Sequence, residues 1–262
     1  MEKATLPVQS RTENKKINEK LSLFRQNYKN FINGLGAIGE FFAKILIEEP
    51  SGQGQGSVPF WSNTYMPPGD AIALCGFLVK YNPVIYMEIG SGNSTKFARR
   101  VISHFNLRTK IISIDPYPRA EIDTLCDEVV RAPAQMVPVS AFQSLRKDNI
   151  LFIDGSHRCL QNSDVTYMFM EVLPAIQPGV ILHFHDIFWP YDYPSEWTHR
   201  LYSEQYLLGA LLLFGSGYEI LYSSQFVTLD SGLRSEFEAV LRPFLPDRCG
   251  CGGGSLWMKL IC

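Results

Sequence analysis

The chain has 262 residues, of which 46% are hydrophobic and 19% charged, and a formal net charge of −2. That is the composition of a globular protein long enough for one large domain, or a domain with an appendage. It gives no electrostatic reason to expect nucleic acid, which requires a basic face, and the longest apolar run, Leu207 to Gly215, falls short of the roughly 20 residues that span a bilayer.

In chain order, the opening MEKATLPVQSRTENKK has no apolar signal-peptide core, so a cytoplasmic protein without nucleic-acid or membrane partners is expected. Residues 12–34 place Ile17, Leu21, Phe24, Tyr28, Phe31 and Ile32 at helical spacing. A second helix is predicted over 37–48, on Ile38, Phe41, Phe42, Ile45 and Leu46. SGQGQGS, 51–57, reads as a flexible loop. Residues 1–56 are therefore read as an N-terminal helical extension, suited to be a lid, a contact in a homodimer or simple packing. Residues 57–262 are read as one domain. Pro67-Pro68-Gly69-Asp70 introduces a helix over 71–81, with Asp70 as its N-cap.

The period then changes. Strand-length apolar runs at 84–89, 110–115, 128–132, 149–154 and 179–186 alternate with helical patterns at about 94–105, 119–126, 139–146 and 161–176. Such alternation, with strands apolar nearly throughout, predicts a parallel sheet covered on both faces. A long helix over about 195–214 follows, then strands at 218–223 and 255–260 with a helix near 233–242 between them. Six cysteines without two spaced pairs predict free thiols, with no disulfide framework or zinc site.

In an open parallel sheet, ligands sit beyond the carboxyl ends of the strands. Those ends carry Glu88, Gly90, Ser91, Gly92, Asn93 and Ser94, then Asp115, then Asp154 and His157, then His183, His185 and Asp186. A lone Asp at a strand end is most often a helix cap, but four strand ends bearing carboxylates read as a site. Gly90-Ser91-Gly92 lets the backbone pass close to a ligand. A dinucleotide turn places a third glycine where this chain has Thr95. Asp115, ending the next strand, is placed to accept hydrogen bonds from two ribose hydroxyls.

Glu88-Ile-Gly90-Ser-Gly92, with Asp115 and Asp154 ending later strands, resembles the class I S-adenosyl-L-methionine-dependent methyltransferases over roughly residues 70–262. The resemblance implies an α/β, Rossmann-like sandwich: a mostly parallel seven-stranded sheet with an antiparallel last strand, SLWMKL. It also implies S-adenosyl-L-methionine as cofactor, held by Glu88, Gly90, Ser91, Gly92, Asn93, Ser94, Asp115 and Asp154, with the Ala132–Val139 segment, Ala134 and Gln135 among it, bordering the adenine. Asp154-Gly-x-His157 followed by His185-Asp186 is similar to a narrower branch, small-molecule O-methyltransferases that include macrolide sugar O-methyltransferases and cephalosporin hydroxylase-like proteins. That likeness implies Asp154 and Asp186 as ligands of a divalent ion such as Mg2+, and His157, beside Asp154, as the catalytic base for a small hydroxylated acceptor.

The loop after the fifth predicted strand, IFWPYDYPSEW, is aromatic, and Trp189, Tyr191, Tyr193 and Trp197, with His185, are candidate acceptor contacts. Strand alternation sets His183 and His185 on one face and Asp186 on the other, with His183 a core histidine. Three other readings remain: an NAD-dependent oxidoreductase, a metal-dependent oxygenase built on His183, His185 and Asp186, and a methyltransferase-like domain that only binds a partner.

Overall fold

The structure, a computed structural model, describes residues 12–51, 56–118 and 121–261. The expectations for residues 1–11, for 52–55 of the Gly-rich loop, for 119–120 at the start of the helix expected over 119–126, and for Cys262 lie outside the described residues.

In chain order the elements are α1 (Lys15–Ser22), α2 (Arg25–Leu35), α3 (Gly39–Phe42), α4 (Pro68–Tyr81), β1 (Ile85–Ile89), α5 (Asn93–Phe105), β2 (Lys110–Ile114), β3 (Glu128–Val130), α6 (Val139–Phe142), β4 (Ile150–Ile153), α7 (Asp164–Tyr167), β5 (Ile181–Phe184), α8 (Glu204–Phe214), β6 (Tyr218–Ser223), α9 (Ser224–Leu229), α10 (Ser231–Leu241) and β7 (Leu256–Leu260). The sheet order is β3-β2-β1-β4-β5-β7-β6. The first five strands pair in parallel, and β7 runs antiparallel between β5 and β6. This is the Rossmann-like, mostly parallel seven-stranded sheet with a reversed last strand that the sequence leads one to expect. β4 and β5 are buried along their whole length, as helices on both faces require.

The N-terminal helices pack against the sheet layer. Phe31 of α2 stacks on Phe77 of α4 at 4.2 Å, and Phe77 stacks on Trp257 of β7 at 4.1 Å. Arg25 pairs with Asp230 beside α10. No helix among the described residues is long and apolar enough to cross a membrane.

Several elements differ from their expected form where tertiary contacts outweigh local pattern. The 37–48 helix is helical only to Phe42. The 161–176 helix is an α turn that continues as a π turn over Met168–Val172 and a 3-10 turn over Leu173–Ala175. The 195–214 helix is broken: a 3-10 turn at Ser195–Arg200 ends at Leu201, in the left-handed conformation (φ 56°), and α8 begins only at Glu204. The break occurs because the N–H groups of Ser203 and Glu204 donate to the carbonyl of His157, at 2.7 and 3.1 Å. Asp70 is not the N-cap of α4, which starts two residues earlier with Pro67 at the cap. Its buried carboxylate accepts instead from the N–H groups of Gly254 (2.8 Å) and Ser255 (3.0 Å).

Candidate active site

The strand order reverses direction between β1 and β4, and this is where an open α/β sheet forms its ligand crevice. The strand ends are tied together there: Gly90 N donates to Ile114 O at the end of β2 (3.1 Å), and Asp154 N, after β4, to Ile89 O at the end of β1 (2.9 Å). Gly90 has φ +82°, and a Cβ at this position would overlap the carbonyl oxygen of Asp154. Only glycine serves there, since it combines a left-handed backbone with close approach.

Glu88 supports the turn from below. It is wholly buried and accepts from the hydroxyls of Tyr86 (3.0 Å), Ser94 (3.2 Å) and Thr95. Burial pushes its carboxyl up to about 7, against the opposing pull of the hydrogen bonds from Thr95, Tyr86, Ser91 and Ser94. Thr95 at the third-glycine position also accepts from Gly92 N at 3.0 Å, closing the first turn of α5. Asn93 donates to Asn63 at 3.0 Å, which attaches the 56–66 segment to the turn.

A cavity of about 1110 Å³ opens over these strand ends, larger than the roughly 300–1,000 Å³ of a typical ligand site. Its walls include Gly90, Ser91, Asp115, Asp154, His157, His185 and Asp186, together with Pro133, Ala134 and Gln135 from the segment expected beside an adenine. Gly92, Asn93 and Ser94 face an adjoining recess of about 520 Å³ that shares Ser91 and Asp154 with it. Glu88 lines neither. Asp115 accepts from Ser91 N and Tyr117 N, both at 2.8 Å, which fixes its carboxylate at the rim while leaving lone pairs for further donors.

At the floor, two histidines alternate with four carboxylates. Glu204 Oε2 meets His157 Nδ1 at 2.8 Å, and His157 Nε2 faces Asp154 (3.1 Å) and Asp186 (3.6 Å). His185 Nδ1 lies 3.3 Å from Asp154 and 3.5 Å from Asp186, and its Nε2 lies 3.3 Å from Asp70. Burial would lower both imidazoles. For His157 the hydrogen bonds with Asp154 and Glu204 outweigh it, and for His185 the charges of Asp154 and Asp186 do, so both sit well above the ordinary histidine range. Asp154 is held well below the carboxylate range, because His185 and His157 overcome its burial. Burial raises Asp186 and Glu204.

Asp186 corrects the alternation expectation. β5 ends at Phe184, and Asp186 turns into the left-handed region (φ 56°), which brings its carboxylate to the same site as His185. His157 is also left-handed (φ 57°). Such backbone costs on the order of 1–3 kcal/mol per residue and persists where the surroundings impose it, commonly at functional sites. His183 is the core histidine expected: it stacks on Trp257 at 3.8 Å, bonds Ser255 at 2.7 Å, and burial drives its pKa well down.

The structure does not bring Trp189, Tyr191 or Tyr193 to the cavity wall. Trp189 donates to Gln205 O at 2.6 Å and packs on Gly209, where a Cβ would lie 2.7 Å from its ring. The Tyr193 hydroxyl accepts from Gln205 N at 3.1 Å. Trp197, the remaining aromatic candidate of that loop, does line the cavity, together with Phe188, His199, Arg200 and Tyr202. Glu204, which sequence places within reach of the pocket but whose presence amphipathicity alone would explain, belongs to the cluster, and so does Asp70. A glutamate opening an otherwise apolar helix was the available signal for the first, and the second was hidden by its plausibility as a cap.

Residues 87–187 match a family model described as a methyltransferase domain. The match runs from β1 past β5 and takes in the glycine turn, Asp115, Asp154, His157, His185 and Asp186. Among solved structures the chain is similar to the plantazolicin methyltransferase BpumL in complex with SAH, at 14% identity and a TM-score of 0.42, covering 94% of this chain and 99% of that one. That likeness carries no functional argument. No curated protein matches the chain.

Among the described residues, three side chains of the site stand close enough to be ligands of one ion. One ligand atom each from Asp154, His157 and Asp186 lie within 4.8 Å of one another, and opposite ligands of a Mg2+-sized ion stand about 4 Å apart.

Proposed function

We propose that the protein is an S-adenosyl-L-methionine-dependent methyltransferase acting on a hydroxyl of a small molecule, with His157 as base. The observation that carries the reading is the single cavity at the β1/β4 switch point. It joins the Gly90 turn and Asp115 to the His157, Asp154 and Asp186 cluster inside the segment matched by the methyltransferase-domain family model.

The cofactor, when bound, supplies an electrophilic methyl on a good leaving group. The chain must then orient the acceptor and take its proton. The Gly90–Gly92 backbone receives the amino-acid end, Asp115 accepts from the ribose hydroxyls, and Pro133 to Gln135 border the base. His157 is oriented by Glu204 at Nδ1, and its Nε2, which faces Asp154 and Asp186, is the nitrogen that takes the acceptor proton. A positive charge bound among these carboxylates would offset them and favour the neutral, proton-accepting form of His157. Asp154 and Asp186 would hold a Mg2+-type ion, whose chemistry is to lower the pKa of a bound hydroxyl.

The NAD-dependent alternative fits poorly with a reversed β7 and with Thr95 in the third-glycine position. The oxygenase alternative loses its expected ligand set, since His183 is engaged in the core. Calorimetric titration with S-adenosylhomocysteine and with NAD, each with and without Mg2+, tests the reading. Micromolar binding of the first alone is expected, with most of it lost in Asp115→Ala. Absence of S-adenosylhomocysteine binding would sink the proposal.

A further inference from the structure

The cavity is divided by charge. Asp115, Asp154 and Asp186 line the sheet end, whereas the wall formed by Arg158 and the Ser195–Tyr202 segment carries Arg158, His199 and Arg200. The Arg200 guanidinium lies 3.8 Å over the ring of Trp197 and 5.6 Å from that of Tyr202. Trp197 in turn meets Phe188 and Tyr202 edge-on, at 5.1 and 5.7 Å. Tyr202 reaches the base, with its ring 4.6 Å from that of His157. An apolar surface therefore runs from His157 to Arg200, on the scale of one ring-bearing molecule.

Arg158 Nε donates to the backbone carbonyl of Arg200 at 2.9 Å, which ties the two residues together on this wall. Among the described residues neither guanidinium has a carboxylate within ion-pair distance. Of the lining carboxylates, Asp154 faces His157 and His185, and Asp164 is committed to Ser156, accepting from its N–H at 2.7 Å and its hydroxyl at 2.5 Å. A guanidinium is a planar group of donors that matches a carboxylate or phosphate, and one held 3.8 Å over an indole is already ordered for such a partner.

We propose that the acceptor is an acidic molecule: a ring-bearing hydroxy compound whose carboxylate or phosphate is received by Arg200 and Arg158 while its ring lies along Trp197 and Tyr202. Arg200 and Arg158 are specificity-determining residues, and the acid they bind directs the hydroxyl toward His157. This assignment rests on the methyltransferase reading of the same cavity.

The test uses the full chain and calorimetry. S-adenosylhomocysteine binding is measured first; a wild-type protein that does not bind it fails the methyltransferase reading, and the acceptor assignment falls with it. The loaded protein is then titrated with two matched pairs, 3,4-dihydroxybenzoate against 3,4-dihydroxybenzamide and pyridoxine 5′-phosphate against pyridoxine. The acidic member of at least one pair should bind tenfold or more tightly, and the pair that shows the preference tells carboxylate from phosphate. Arg158→Gln/Arg200→Gln should abolish the preference with S-adenosylhomocysteine affinity unchanged. Arg200→Lys, which keeps the charge without the planar fork, should fold and retain part of it. Equal binding within both pairs, a preference that survives in the double variant, or no binding by either acid would overturn the proposal.

Discussion

Two buried glutamates separate support from chemistry at the scale of single residues. Glu88 has no cation beside it and is stabilised by hydroxyls alone. Its folded pKa of about 7 stands above the unfolded value, so its contribution to stability is complete below about pH 4.5 and is lost as pH rises through 7. The span corresponds to about 3 kcal/mol. Glu88→Gln should remove that part of the pH dependence, read as the difference between urea midpoints of the two proteins from pH 4.5 to 8. Parallel curves would show that Glu88 is not the titrating group. Glu204 instead pairs with His157 and acts through it. Glu204→Gln should lower turnover by roughly 100-fold, the lower end of what a positioned general base contributes. S-adenosylhomocysteine affinity should stay as in the wild type, and a matching loss of affinity would assign Glu204 to the fold.

Among elements, the turns after β1, β4 and β5 decide what the site is. Gly90, His157 and Asp186 all have positive φ, and each follows a strand whose apolar residues leave no freedom of register. The turn after β1 is pressed against the one after β4 at Gly90 and Asp154. Gly90→Ala would therefore strain the backbone and displace Asp154 together, costing about 1–3 kcal/mol. It should also abolish S-adenosylhomocysteine binding, as followed by thermal melting and titration. Retained affinity would show that the turn is not the cofactor cradle. The aromatic loop divides between two tasks: Trp189 and Tyr193 are spent on fastening α8 through Gln205, whereas Phe188 and Trp197 reach the cavity wall.

For the molecule as a whole, the N-terminal helices share a core with the sheet. Phe31, Phe77, Trp257 and His183 form a continuous stack from α2 to β5. Truncating its outer member should be felt as stability alone. Phe31→Ala is expected to cost about 3–5 kcal/mol and to lower the Tm by on the order of 10 °C. Affinity for S-adenosylhomocysteine at 20 °C should be unaltered. A change in affinity without a fall in Tm would mean that α2 acts on the site and not on the core.

The alternation of apolar strands with amphipathic helices is a local property, so the sequence by itself determined the sheet, its strands and the carboxylates at their ends. The glycine turn and Asp115 were legible for the same reason: strand ends follow from strands, and strand ends are where this architecture binds ligands. What the tertiary structure decided depends on contacts between distant residues. Asp70 and Glu204 join the histidine cluster from α4 and α8, more than 40 residues from their partners. The helix expected over 195–214 breaks because the carbonyl of His157 captures its first amides. Asp186 swings into the site through one left-handed residue that no periodicity signals. Periodicity reports which side of an element is buried, but not which buried polar groups will meet, because their pairing is settled by packing across the sheet.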